Sequence, residues 1–350
     1  MLNEFFYGKS NEGAYSGAIA FGGSIGLFVY PFNSGTGFGT RYASPNTNPA
    51  SGVTFNSDGS VIAVGNSVFP YVHAYKWTLA TGFGTKYANP SSGNRPADSL
   101  FDVSFNPDDT AIASAGLRNT DVTSLRGWTW DPVTGFGTKY ADPSTLPGAT
   151  TDEVSFSPDG NDVAICGNGS NDEQRLRTYP FNSGTGYGTV YASPSTLLTN
   201  NGNSVKFSPD GNAIAASCST GLFAYPWVSG TGYGARYTTP STAQVNSEAL
   251  CFSPDGTEIA FTGLASVPIT VHQWIPGTGF GTKYADPATL PTGKGRDCAF
   301  SPTGTEIAIA HESSPYFSVY RWIPGTGFGT KYADPSTLPT NTMSNVSFHP

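Results

Sequence analysis

Residues 325–339 read GTGFGTKYADPSTLP, residues 277–291 repeat them with one change, and residues 134–147 repeat fourteen of them. A glycine-rich string ending in Thr-Lys invites comparison with a phosphate-binding loop. It lacks Gly-Lys-Ser/Thr after four spacer residues, and no strand–helix pattern surrounds it. Looser copies run through the whole chain. The central ring of the motif falls at Phe38, Phe83, Phe136, Tyr187, Tyr233, Phe280 and Phe328, at spacings of 45 to 53 residues. A tyrosine follows each ring by four residues and a proline follows that tyrosine by three, all seven times. Six residues before each ring stands another aromatic, Phe32, Trp77, Trp130, Phe181, Trp227, Trp274 or Trp322. Two before that lies Tyr30, Tyr75, Trp128, Tyr179, Tyr225, His272 or Tyr320. Positions i and i+2 share a strand face, so these pairs mark a strand with one ring-bearing side.

A second landmark recurs between the first: VTFNSDG, VSFNPDD, VSFSPDG, VKFSPDG, LCFSPDG, CAFSPTG and a terminal VSFHP. Its phenylalanines are Phe55, Phe105, Phe156, Phe207, Phe252, Phe300 and Phe348. Ser-Pro-Asp-Gly is turn chemistry: proline presets φ, aspartate bonds locally and glycine accepts positive φ. Seven residues after six of these phenylalanines comes an Ile-Ala or Val-Ala step. Each unit therefore holds four short strands, a to d, which is the signature of a propeller blade. The reading is an all-β, seven-bladed β-propeller over residues 16–350, with four antiparallel strands per blade and an N-terminal arm over 1–15. The chain opens with strands b, c and d and stops after a lone strand a. The closing strand, 344–350, is thus expected to complete the first blade and leave no free edge between the chain ends.

Composition agrees. The chain has 350 residues, only 12% charged, with 43 glycines, 27 prolines and 13% aromatics. With a net charge of −8 and no basic run, the electrostatic term behind nucleic-acid binding is missing. No apolar stretch approaches the ~20 residues that span a bilayer, so neither nucleic acid nor membrane is expected as a partner. The N-terminal sequence lacks a basic segment followed by an apolar one, which argues for synthesis in the cytoplasm without a secretory signal. The four cysteines form no CxxC pair, so a zinc or redox-pair site is not expected.

The Phe-Ser-Pro-Asp-Gly turns, the Ile-Ala strands and the aromatic strands together resemble the WD-repeat-like β-propellers, over all seven units. The near-verbatim TGFGTKYADPSTLP copies also resemble propeller proteins encoded by tailed bacteriophages. That resemblance implies a non-enzymatic interaction scaffold located in the virion: a decoration, fibre-base or tail component bound to capsid or tail proteins. A carbohydrate-binding propeller, docking a host-surface glycan, is the alternative.

No catalytic, cofactor or metal site is expected from spacing. The four histidines have no repeated carboxylate partner, and His272 holds a ring position, which suits packing. The turn aspartates lack the alternating ligand run of a calcium loop. A hydrolase or lyase would need histidine, arginine and carboxylates at the centre, whereas strands a offer mainly Ser, Thr, Lys206 and Cys251 near the phenylalanine. Length varies only in the b–c and d–a connections, so one face of the ring is uniform and the other individual, and binding usually resides on such loops. The longest, 116–127 and 167–177, carry Arg118, Asp121, Arg126, Asp172, Glu173, Arg175 and Arg177. These residues, with Phe5, Phe6 and Tyr7 of the arm, are the candidate partner-binding set.

Overall fold

The computed structural model describes residues 14–350 except 46–47, 119–122, 170, 243–245 and 265. Among them, 28 strands form seven four-stranded antiparallel sheets arranged as blades around a channel. The ring closes as expected. Met343–Phe348 pairs with Ser16–Gly23, placing Phe348 opposite Ile19 and Val346 opposite Phe21. The seam is also filled with rings: Phe21 stacks on Phe317 of the seventh blade at 4.1 Å. Tyr15, the last residue of the arm, is buried and donates its hydroxyl to the carbonyls of Ala18 and His349.

The repeated motif builds the joints between blades. The tyrosine of each copy leaves its own blade and meets the third-strand ring of the next one edge-on. Tyr42 meets Trp77 at 4.9 Å, Tyr191 meets Trp227 at 4.9 Å, and Tyr332 meets Phe32 across the seam at 4.9 Å. Its hydroxyl then donates to the next blade's turn, as from Tyr140 to Ser183 O at 2.6 Å and from Tyr332 to Ser34 O at 3.1 Å. The glycine before each motif ring receives this tyrosine. Gly82 has φ +76°, and a Cβ there would stand 2.7 Å from Tyr42 Cδ1. Glycine is therefore required twice over, by conformation and by the approach of the neighbour. The motif ring packs on its own blade, with Phe83 edge-on to Trp77 at 4.9 Å. Edge-to-face pairs are worth about 0.5–1.5 kcal/mol each beyond their burial, so seven such joints hold the ring as a girdle.

The outer strands come in two lengths, for a local reason. They run five residues in four blades, as in Gly82–Lys86, and two residues in the other three: Gly37–Phe38, Gly186–Tyr187 and Gly232–Tyr233. The three short ones sit beside third strands that carry Pro31, Pro180 or Pro226. In six blades the residue after this position donates inward, as Trp77 does to Ser60 O and Trp227 to Asn212 O. Neighbouring N–H groups of a strand point to opposite sides, so the position held by proline faces the outer strand. Proline has no donor to offer there, and the ladder stops.

The uniform face is made by the a–b turns. Ser157 Oγ donates to Asp159 Oδ1 at 2.6 Å, Asn161 N donates to the same oxygen at 3.1 Å, and Gly160 takes φ +73°. Asp109 replaces this glycine in the third blade at φ +55°, and its carboxylate accepts from Ser57 N and Oγ of the second blade.

Candidate functional site

Six of the seven inner strands carry an irregularity at the same place. Register shifts fall between Ala50 and Gly52, Leu100 and Asp102, Thr151 and Glu153, Gly202 and Ser204, and Gly295 and Asp297, and the closing strand skips Ser344. In the sixth blade pairing with the second strand starts at Leu250, and Glu248 holds the corresponding place. A β-bulge re-aims one side chain. Here the residues four before each strand-a phenylalanine, Ser344, Ser51, Phe101, Asp152, Asn203, Glu248 and Arg296, all line one cavity of about 350 Å³ at the variable-loop end of the channel.

The next residue of each strand forms a second ring, which acts as a belt. Its side chains accept from main-chain N–H groups of the following blade. Asn345 Oδ1 accepts from Val53 N at 2.9 Å, Asp102 from Val154 N at 3.1 Å, Glu153 from Val205 N at 2.6 Å, Ser204 from Leu250 N at 3.2 Å, and Asp297 from Val346 N at 2.8 Å. The belt positions of the second and sixth blades are Gly52 and Ala249, which have no acceptor to give. Asp102 and Asp297, each in the following blade, fill both gaps by also accepting from the N–H of Val103 and Cys298. The belt thus accounts for all seven of these inner N–H groups. Below it the channel widens into a cavity of about 500 Å³ lined by Thr54, Ser104, Lys206, Cys251 and Ala299 among others. The two cavities meet at Asp102, Glu153, Asp297 and Asn345.

Charge is concentrated at this junction. Lys206 pairs with Glu153 across two blades, with about a third of its side chain open to the channel. Burial pulls the Lys206 ammonium down, but Glu153, Asp102 and Asp297 outweigh it and hold the group above the usual lysine range. Burial pushes Asp102 up to about 7, against the pull of Lys206 and with the help of Glu153. Asp297 is likewise pushed up to about 7 by burial and Glu153, against Lys206. At the mouth, Glu248 accepts from Lys294 and from Arg296 Nη1, the latter at 2.9 Å, and Arg296 Nη2 reaches Glu312. Arg296 Nε is buried and has no hydrogen-bond partner among the described residues.

Asp152 differs from every other carboxylate here. Asp102 and Asp297 are each occupied by two backbone donors, Glu153 by one donor and a lysine, and Glu248 by two cations. No donor among the described residues engages Asp152. Burial, then Glu153 and Glu248, push it up to about 6.

None of the described residues expected to bind a partner lines either cavity. Arg118 is exposed. Arg126 is buried and donates to Arg95 O, Arg175 donates to Leu198 O at 3.2 Å, and Arg177 donates to Leu146 O at 2.6 Å. Arg175 also pairs with Asp172, and Asp172 and Glu173 lie exposed on the short 3₁₀ turn Asp172–Gln174. The three inner guanidiniums fasten variable loops to one another. Phe5, Phe6, Tyr7 and Asp121 lie outside the described residues. The sequence reading missed the carboxylates because it stopped at the residue next to each phenylalanine. Four residues before the phenylalanine an otherwise near-uniform repeat reads Ser, Phe, Asp, Asn, Glu, Arg and Ser, but strand period alone does not turn that position to the channel.

No protein-family model matches the sequence, and no curated protein matches it. Its fold is similar to those of several solved structures along nearly its whole length. One is a Bacteroides fragilis protein named as a 6-phosphogluconolactonase, with a TM-score of 0.73, 14% identity and coverage of 95% of this chain and 98% of that one. A Bacteroides uniformis protein of the same name gives a TM-score of 0.69 at 16% identity, covering 95% and 99% of the two chains. The periplasmic gluconolactonase PpgL of Pseudomonas aeruginosa also gives 0.69 at 16% identity, covering 96% and 99%. At such identities the likeness establishes the fold, a seven-bladed propeller, and nothing finer. It corrects the functional expectation. The virion scaffold leaned on phage-like repeats that here prove to be blade joints, and the three solved structures just described are named as lactonases.

Proposed function

We propose that the chain is a hydrolase that opens a small polyol lactone at the variable-side mouth of its channel. Asp152 carries the reading. It is the one carboxylate of the mouth with its lone pairs uncommitted, it sits on a bulge within a rigid strand, and its raised basicity leaves it ionised at neutral pH. Those are the requirements of a general base. The fold neighbours named as lactonases support the same class of chemistry.

In this reading Asp152 takes a proton from water as the water oxygen bonds to the lactone carbonyl carbon. Arg296, the cation that lines this mouth, is the positive charge nearest to the negative charge that gathers on the carbonyl oxygen, and groups aimed at such charge are worth several kcal/mol. Collapse breaks the ring C–O bond, and the alkoxide leaves with the proton returned by Asp152. One water is consumed and one hydroxy acid forms.

The test is acid release from glucono-δ-lactone in a pH-stat near pH 6.5. Purified protein should accelerate ring opening above the spontaneous rate, with saturation in lactone. A rate indistinguishable from that of buffer would end the proposal.

A further inference from the structure

Building on the hydrolase reading, we infer that the mouth selects an uncharged lactone and rejects its phosphorylated counterpart. A phosphate site needs free cations or free backbone N–H groups. Among the described residues of the mouth, the cations and inner N–H groups are already engaged. Lys206 is paired with Glu153, Lys294 with Glu248, and Arg296 with Glu248 and Glu312. The inner N–H groups nearest the mouth, which could have formed an anion nest, donate to belt side chains instead, as at Val53, Val154 and Val346. What remains in the mouth is a set of five carboxyl groups, two of which, Asp102 and Asp297, are raised to about 7 by burial and so are only partly charged near neutrality, beside a neutral hydrogen-bonding set. Asp102, Asp152, Glu153, Glu248 and Asp297 face a single lining cation, Arg296, while Ser51, Asn203 and Ser344 offer uncharged donors and acceptors of the kind that read hydroxyls. The same field is felt by the protein's own groups: Glu153 raises Asp102, Asp152 and Asp297 alike.

The experiment compares kcat/KM of the full-length protein for glucono-δ-lactone and for its 6-phosphate. In parallel, calorimetry measures binding of the non-hydrolysable lactam of each. The unphosphorylated compounds should be favoured at least tenfold in both measurements, and the ratio should shrink as salt screens the repulsion. Glu248→Gln, which removes one negative charge and frees Lys294 and Arg296, should narrow the ratio further. A preference for the phosphate, or equal handling at low salt, overturns the inference while leaving the hydrolase reading intact. Preferential binding of the neutral lactam without turnover of either lactone keeps the selectivity and overturns the hydrolase reading. Failure of both lactams to bind overturns both.

Discussion

Asp159 and Asp152 stand at opposite ends of one inner strand and behave in opposite ways. At the turn end, burial works against the Asp159 charge, but donors from Ser157 and Asn161 outweigh it and hold the carboxyl below its usual range. Asp58 and Asp210 repeat this arrangement in other blades. At the mouth end, Asp152 has no donor among the described residues and is pushed up to about 6, chiefly by burial. The turn is written almost identically in blade after blade because each copy solves the same backbone problem. The mouth position changes in nearly every blade because it solves none. In a repeat protein, the position that escapes the repeat while sitting on its most rigid strand is the place to look for function.

The most severe way to break the contrast is to remove its scaffold. Deleting residues 344–350 takes away the inner strand of the first blade, its ladder to Ser16–Gly23 and the belt acceptor Asn345. The truncated chain should fail to fold or should aggregate through the exposed strand edge, as size-exclusion chromatography and circular dichroism would show. A monomer with wild-type melting would refute closure of the ring by this strand.

The belt ranks next. Asp102→Ala leaves the N–H groups of Val103 and Val154 buried without partners, at about 1–3 kcal/mol each. Asp102→Asn keeps an acceptor and should cost less. Urea unfolding of the two variants measures the difference, and equal losses would mean that the belt bonds contribute nothing.

Solution pH sharpens the comparison through its sign. Asp102 and Asp297 have folded-state pKa values raised to about 7, above the ~3.9 of an unfolded aspartate. The native state therefore binds more protons than the unfolded state between these values, and stability falls as pH rises from about 4 to 7. The turn aspartates, held low, act the other way: their contribution is present above about 4 and is lost on further acidification. The buried His73 and His311, held down to about 4 by burial, also act the other way between about 4 and 6.5, so the channel carboxyls are read by difference: Asp297→Asn should gain melting temperature relative to the wild type as pH rises from 5 to 8. A difference between Asp297→Asn and the wild type that does not change with pH would contradict the assignment of the channel carboxyls.

A single turn matters less. Asp159→Ala removes one local acceptor from a turn that Gly160 and Pro158 still favour, and should cost about 1 kcal/mol. Differential scanning calorimetry would resolve it.

The girdle was legible in the sequence because its physics is repeated. Gly82 and Tyr42 are parts of one contact, so both recur at fixed distance and count the blades. The Ser-Pro-Asp-Gly turns and the terminal Val346-Ser347-Phe348 fixed the strand order and the seam for the same reason. The mouth was not legible, because a strand read at strict period two puts the residue four before each phenylalanine on the same face as the buried valine. The bulge breaks that period. It turns Asp152, Glu248 and Arg296 toward the channel, and nothing in their own identity announces it. The loop arginines misled for a related reason: charge in a charge-poor chain looked available, whereas Arg126, Arg175 and Arg177 are held by main-chain carbonyls.

The most direct test of the account is Asp152→Asn, measured twice on the same preparation. The substitution changes no hydrogen bond in the structure and relieves a raised carboxylate, so the melting temperature at pH 7 should be equal to or slightly above that of the wild type. Lactone ring opening should fall to the spontaneous rate, because the amide cannot take a proton from water. An Asp152→Asn protein that hydrolyses the lactone at the wild-type rate would show that the mouth position, for all its departure from the repeat, is not the site.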